Sequence, residues 1–133
     1  MTKQQIFDTV VAGLAKQNFE QCKSSSGTAC RYRFRNRRCA VGHLIPDEVY
    51  DKRMEGQLVT DFIDTFPEVF LFVLGHEPTE NDIRFLDDLQ DVHDGAQSPG
   101  QMIDDLGEFA WRWDLHAKAL QPYVDRDPVP LDA

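Results

Sequence analysis

Three cysteines and four histidines are the side chains of this chain suited to nucleophilic, proton-transfer or metal chemistry near neutral pH. Two constellations follow from their spacing. In the first, Cys39 and His43 lie four apart and would share a face of a helix. Cys30 sits on a segment able to fold back beside Cys39, and His93 or Cys22 would complete four ligands. Zinc takes such thiolate and imidazole ligands in a tetrahedron. Against this, C-x8-C-x3-H is not a recognised zinc spacing and the chain has no CxxC. Burial as a small hydrophobe, the commonest state of a free cysteine, carries more weight. In the second constellation Cys39 is a nucleophile. Arg37 and Arg38 precede it and a helix start would favour its thiolate, while His93-Asp94 offers a base and a carboxylate. Sequence neighbours on a helix point in different directions, so Asp94 is a poor orienting acid for His93. The expectation is therefore that Cys39, His93 and Asp94 are structural, and no catalytic residue is assigned.

Charge is the next signal. Residues 22 to 40 hold Lys23, Arg31, Arg33, Arg35, Arg37 and Arg38 and no acid. Residues 77 to 108 hold ten acids, among them Asp87, Asp88, Asp91 and Asp94, against Arg84 alone. The arginines alternate with Tyr32 and Phe34. Such a face can grip single-stranded nucleic acid, but the net charge of −9 opposes direct nucleic-acid binding. Pairing of Arg31, Arg33 and Arg35 with the acidic helix of this chain, or of a second copy, is the stronger expectation. The acidic flank reads either as a solvated face or as a surface that imitates a polyanion and docks in a basic groove. Trp111 and Trp113 cannot both face inward on one helix. Trp113 fits the buried stripe, which leaves Trp111 as an exposed interface anchor.

Local patterns set the elements that hold these groups. Thr2 and Gln5 have capping-box spacing ahead of an apolar stripe, predicting a helix over 3–19. The alternation from Cys30 to Arg35, with a tight turn at Asn36, predicts a two-stranded hairpin near residues 29–40 whose arginines face outward. Pro46 closes the apolar run 39–45 and is placed at the first position of a new helical turn. Residues 58–66 and 67–74 read as two short helices, or one broken at Pro67. Thr79 and Asp82 cap the next helix, whose buried stripe is Ile83, Phe85, Leu86, Leu89 and Val92. Ser98-Pro99-Gly100-Gln101 opens a last helix expected to run to Leu120, where Pro122 stops it.

The length of 133 residues supports one domain, placed at 1–121 with a proline-rich tail over 122–133. No apolar run approaches the roughly 20 residues that span a bilayer. The amino end lacks the apolar stretch of a secretion signal, and the odd cysteine count favours a reducing compartment. No internal repeat is present.

The stretch Cys39-Ala40-Val41-Gly42-His43-Leu44-Ile45-Pro46-Asp47-Glu48 with Tyr50, then Met54-Glu55-Gly56, then Leu89-Gln90-Asp91-Val92-His93-Asp94, resembles a group of small uncharacterised proteins from tailed phages and prophages. The likeness covers about residues 1 to 115 in order, with the CAVG-to-MEG block its most specific part. In that group the position of His43 accepts Cys, and the turn here, Arg35-Asn36-Arg37-Arg38, is more basic than the group's glycine-rich one. The resemblance implies an accessory protein of the bacterial cytoplasm, of a kind that binds and inhibits a host enzyme or defence component. It implies no activity.

The expectation is thus a mostly helical α+β domain acting as a non-enzymatic binder of a host protein. Its surface would comprise Asp87, Asp88, Asp91, Asp94 and Trp111, with Arg31, Arg33 and Arg35 as counterpart. No cofactor is assigned. A zinc- or cysteine-dependent enzyme using Cys39 and His93, and a structural homo-oligomer, are the alternatives.

Overall fold

The first helix, α1 (Lys3–Lys16), begins on the predicted capping box. Thr2 Oγ1 accepts from Gln5 N, and Gln5 Oε1 accepts from Thr2 N. The computed structural model describes residues 1–23 and 31–124. The inner stripe of α1, Ile6, Phe7, Val10, Val11 and Leu14, is buried. The helix ends before residue 19 because Asn18 takes the left-handed conformation at φ 57°. The amides of Asn18 and Phe19 then bond back to Ala15 and Leu14, a Schellman closure with asparagine in the place glycine usually holds. Phe19 is thereby turned into the core.

The hairpin is shorter than its alternation predicts. β1 (Arg33–Phe34) pairs antiparallel with β2 (Arg37–Arg38), with Arg33 opposite Arg38 and Phe34 opposite Arg37. Tyr32 is buried but Phe34 only half so. Cys30 lies outside the described residues. A 3₁₀ turn follows at Val41–Leu44. Gly42 is required here, since a Cβ on it would stand 2.1 Å from the Tyr32 carbonyl oxygen. Pro46 precedes the next 3₁₀ turn, Asp47–Val49, as its cap in extended conformation, rather than occupying its first position. A third turn, Lys52–Met54, buries Met54.

The remaining elements are helices. α2 (Val59–Thr65) and α3 (Pro67–Leu74) are separate, divided at Phe66 and Pro67. α4 (Glu80–Gly95) opens on the Thr79–Asp82 capping box. α5 (Pro99–Arg112) opens on Ser98 Oγ. It stops at Arg112 rather than near Leu120, because Asp114 adopts φ 57° and the amides of Asp114 and Leu115 return to Trp111 and Ala110. This is a second Schellman closure, again without glycine. The chain then folds back, Leu120 enters the core, and α6 (Gln121–Val124) follows. Pro122, expected to stop the last helix, lies within α6, and Tyr123 meets Phe19 edge-on at 5.1 Å, so packing continues past residue 121. The rest of the predicted tail, 125–133, lies outside the described residues.

Two aromatic chains tie the layers. Phe7, Phe109, Phe85 and Trp113 join α1, α4 and α5. Tyr32, Phe62 and Phe70 join the hairpin to α2 and α3. The protein is mostly-α α+β: a helical bundle with one small hairpin. Among the described residues no helix is long and apolar enough to cross a membrane.

Candidate functional site

His93 is the point where α4 meets the segments before it. Its ring is fully buried. Nε2 accepts from the Cys22 backbone N–H at 3.0 Å, which places the proton on Nδ1, donating to Asp94 Oδ1 at 2.8 Å. The same Asp94 oxygen accepts from Gln90 Nε2, and Gln90 Oε1 accepts from Val41 N. Gln21 Nε2 caps the His93 and Asp94 carbonyls. Three segments, the end of α4, residues 21–22 and the Val41 turn, are thus fastened by one polar network. The ring's only lone pair is spent on a backbone amide, so His93 has none left for a substrate proton or a metal. Contrary to the helix-direction argument, adjacent Asp94 does pair with His93; the bond fixes the ring's tautomer.

The thiols are equally engaged. Cys39 Sγ accepts from Gly42 N at 3.2 Å, capping the 3₁₀ turn, and burial pushes its thiol well above the usual range. Cys22 Sγ donates to the Arg37 carbonyl, and burial, then Glu55, raises its thiol to about 11. Both are therefore protonated thiols at neutral pH. His43 points elsewhere. Its Nε2 donates to Gln17 Oε1 at 3.2 Å, and its ring lies against Gly13 of α1, where a Cβ would come within 2.3 Å of Nδ1. Burial first, then Arg38, lowers its pKa to about 4. Among the described residues no group of three or more His, Cys, Asp or Glu side chains is placed to hold a metal ion.

The arginines do not form the free outer face predicted for them. Arg33 is largely covered. Its Nη2 donates to the Ile45 carbonyl at 2.7 Å and meets Asp47 at 3.0 Å, and its guanidinium lies 4.4 Å from the centre of the Tyr50 ring. Arg38 also holds Asp47, and Arg37 holds Glu20. Arg31 approaches Glu55 at 3.6 Å. Arg35 is exposed at the turn, over Phe34. The organiser is Glu55, which the sequence shows only as the middle of the Met54-Glu55-Gly56 motif, with no role assigned. Its carboxylate accepts from the Tyr32 and Arg33 amides at 2.9 and 3.0 Å and from Tyr50 Oη at 2.6 Å. It thereby satisfies the free edge of β1. The pairs of these arginines are with Glu20, Asp47 and Glu55, not with the acidic helix.

The acidic flank of α4 lies between two concavities. One, of about 190 Å³, separates α4 from the segment around Gly56–Val59; Asp87, Gln90, Asp91, Asp94, Arg31 and exposed Leu58 line it. The other, of about 480 Å³, runs toward α5 and includes Arg84, Asp87, Asp88, Asp91, Arg112 and Trp113. Asp87 and Asp91 border both. Asp88 is committed internally, accepting from Arg112 Nη2 and from Trp113 Nε1 at 2.8 Å. No ion pair of Asp87 or Asp91 forms among the described residues. Partial burial, then Asp87, Asp94 and Asp88, raises the pKa of Asp91. Trp111, on α5, is 81% exposed.

Comparison with protein-family models, with curated proteins and with solved structures finds no match for this chain. The functional reading therefore rests on its own geometry.

Proposed function

We propose that this protein is a non-enzymatic binding module whose α4 flank docks a basic surface of another protein. The observation that carries the reading is that Asp87 and Asp91 border two adjoining concavities and form no ion pair among the described residues, although Arg31, Arg84 and Arg112 also line them. A cationic surface would relieve that repulsion on docking. Trp111 adds a large apolar side chain close in sequence to Arg112 and Trp113 of the groove, the residue type most enriched at interface hot spots. The resemblance to small tailed-phage proteins makes the partner a host protein of the bacterial cytoplasm, inhibited or modulated by occupation of its basic groove.

The Cys39–His93 enzyme has less support, because His93 spends its lone pair on Cys22 and both described thiols stay protonated. A homo-oligomer that pairs hairpin with acidic helix has less support as well, because Arg33, Arg37 and Arg38 already hold carboxylates of their own chain.

Capture from bacterial lysate tests the proposal with three baits. The wild type should retain a saturable partner. Asp87→Asn/Asp91→Asn and Trp111→Ala, both changes of residues outside the core, should retain it at least tenfold less. Equal retention by all three baits, or no saturable partner at all, contradicts the reading.

A further inference from the structure

A cleft of about 570 Å³ lies between α1, the hairpin and the Val41–Leu44 turn, and it shares no lining residue with the acidic concavities. Thr9, Gly13, Lys16, Asn36, Arg38 and His43 border it, and its lining carries no carboxylate. That is notable in a chain with net charge −9. Two observations make it a place of unmatched positive charge. Lys16 is exposed and forms no ion pair among the described residues. Asp47 is divided between two guanidiniums, at 3.0 Å from Arg33 and 2.7 Å from Arg38, so one of those positive charges has no counterpart there.

The polar groups converge from separate elements. Lys16 comes from α1, Arg38 from β2, Asn36 from the hairpin turn and His43 from the 3₁₀ turn. The Arg38 backbone is pinned at both ends by one side chain: Gln17 Oε1 accepts from Arg38 N, and Gln17 Nε2 donates to Arg38 O. Since that Oε1 is an acceptor, His43 Nε2 carries the ring proton and Nδ1 keeps its lone pair. The groups facing His43 are Lys16 of α1, Arg33 and Arg38 of the hairpin and His93 of α4. All are cationic or neutral, and together with burial they hold the ring uncharged, its pKa near 4.

From this juxtaposition we infer that the cleft is a binding site for a small phosphate monoester, its phosphoryl group held by Lys16 and Arg38 beside His43. A dianion matches the net positive charge of two carried by Lys16 and by the Arg33–Arg38 pair that shares the single carboxylate of Asp47. Guanidinium and ammonium are the side chains that recognise phosphate, the first by its planar fork and the second as a point charge. The volume exceeds what inorganic phosphate needs and lies in the range of small-molecule pockets, so the organic part of a sugar-sized ester fits beside Thr9 and Asn36. The site stands apart from the proposed docking of a basic protein and does not depend on it.

Titration of the full chain with ribose 5-phosphate, and separately with inorganic phosphate, followed by amide and imidazole NMR at low salt, tests the site. The expected result is saturable movement of the Gly13, Lys16, Asn36 and His43 signals. Ribose 5-phosphate should bind tighter than inorganic phosphate. The His43 midpoint should rise by about one pH unit with ligand bound, a tenfold gain in proton affinity, because a neighbouring anion favours imidazolium. Lys16→Gln, at an exposed helix position, should weaken binding at least tenfold, and Lys118→Gln, outside the cleft, should leave it unchanged. If inorganic phosphate binds as tightly as the ester, the cleft is a simple anion site and the monoester assignment falls. Absence of saturable shifts at millimolar ligand, or equal affinity in Lys16→Gln, overturns the site altogether.

Discussion

His93 and His43 show how environment decides what one residue type does. His93 is a neutral ring held between a backbone donor and Asp94, so its role is to fasten α4 to the Cys22 segment. Replacing it with alanine leaves the Cys22 amide and Asp94 without their partner and opens a cavity. His93→Ala should destabilise the fold by about 2–4 kcal/mol, read from urea denaturation. A loss below about 0.5 kcal/mol would mean that the network carries no such weight. His43 is neutral for a different reason, burial beside cations. Its folded pKa, about 4, lies below the ordinary 6.5. The unfolded state therefore binds the extra proton first. The stability due to neutral His43 is complete above pH 6.5 and is lost as pH falls from there toward 4, with no further loss below. Denaturation midpoints across that window should fall in the wild type and fall less in His43→Asn. Identical slopes would contradict the placement of the ring. Gly13 supplies a third test. In an exposed helix glycine to alanine gains up to about 1 kcal/mol. Here the added methyl meets His43, so Gly13→Ala should destabilise, and His43→Ala should remove the penalty in the double mutant. Stabilisation by Gly13→Ala alone would show the contact to be absent.

At the scale of elements, starts were more legible than ends. Thr2–Gln5, Thr79–Asp82 and Ser98–Gln101 announce three helices because capping is chemistry between residues three apart. Both α1 and α5 end sooner than predicted, since Asn18 and Asp114 fill the left-handed closing position where glycine is the usual signal. The only sign available was an asparagine or aspartate next to a large apolar residue, Phe19 or Leu115, that returns to cover the helix end. The hairpin is the other lesson. Alternation of arginine with Tyr32 and Phe34 correctly marks two-strand pairing, but it does not reveal that Arg33 lies over Tyr50 or that Glu55 secures the β1 edge. Those contacts join residues 17 to 23 positions apart, and no local spacing encodes them. Glu55→Gln keeps the shape but weakens charge-assisted bonds to two amides. It should speed hydrogen exchange at Tyr32 and Arg33 at least tenfold while leaving the α1 and α5 amides protected. Unchanged exchange at those two amides would remove Glu55 from its organising role.

Over the whole molecule, positive and negative charge are separated. The cations of the hairpin are largely neutralised by Glu20, Asp47 and Glu55, and Lys16 and Arg38 line the cleft beside α1. Asp87 and Asp91 of α4 form no ion pair among the described residues. This division was half visible in the sequence. The concentration of acids over 77–108 marked the surface, and helical spacing placed Asp87, Asp88, Asp91 and Asp94 along one flank. The internal commitment of Asp88 to Arg112 and Trp113 was not visible, because it depends on how α4 and α5 cross. The same holds for Cys39 and His93, whose chemical appearance in the sequence resolves into packing and capping. The exposed Trp111 follows from the helical phase that turns Trp113 inward, where it is partly buried.

The central claim is that the α4 flank is an electrostatic docking surface. It is tested most directly by the affinity of this chain for its captured partner across a salt series, compared between wild type and Asp87→Asn/Asp91→Asn. The account predicts that wild-type affinity falls steeply as salt rises. It also predicts that the double variant binds at least tenfold more weakly at low salt, with a visibly shallower salt dependence. Equal affinities and equal slopes for the two proteins would contradict it.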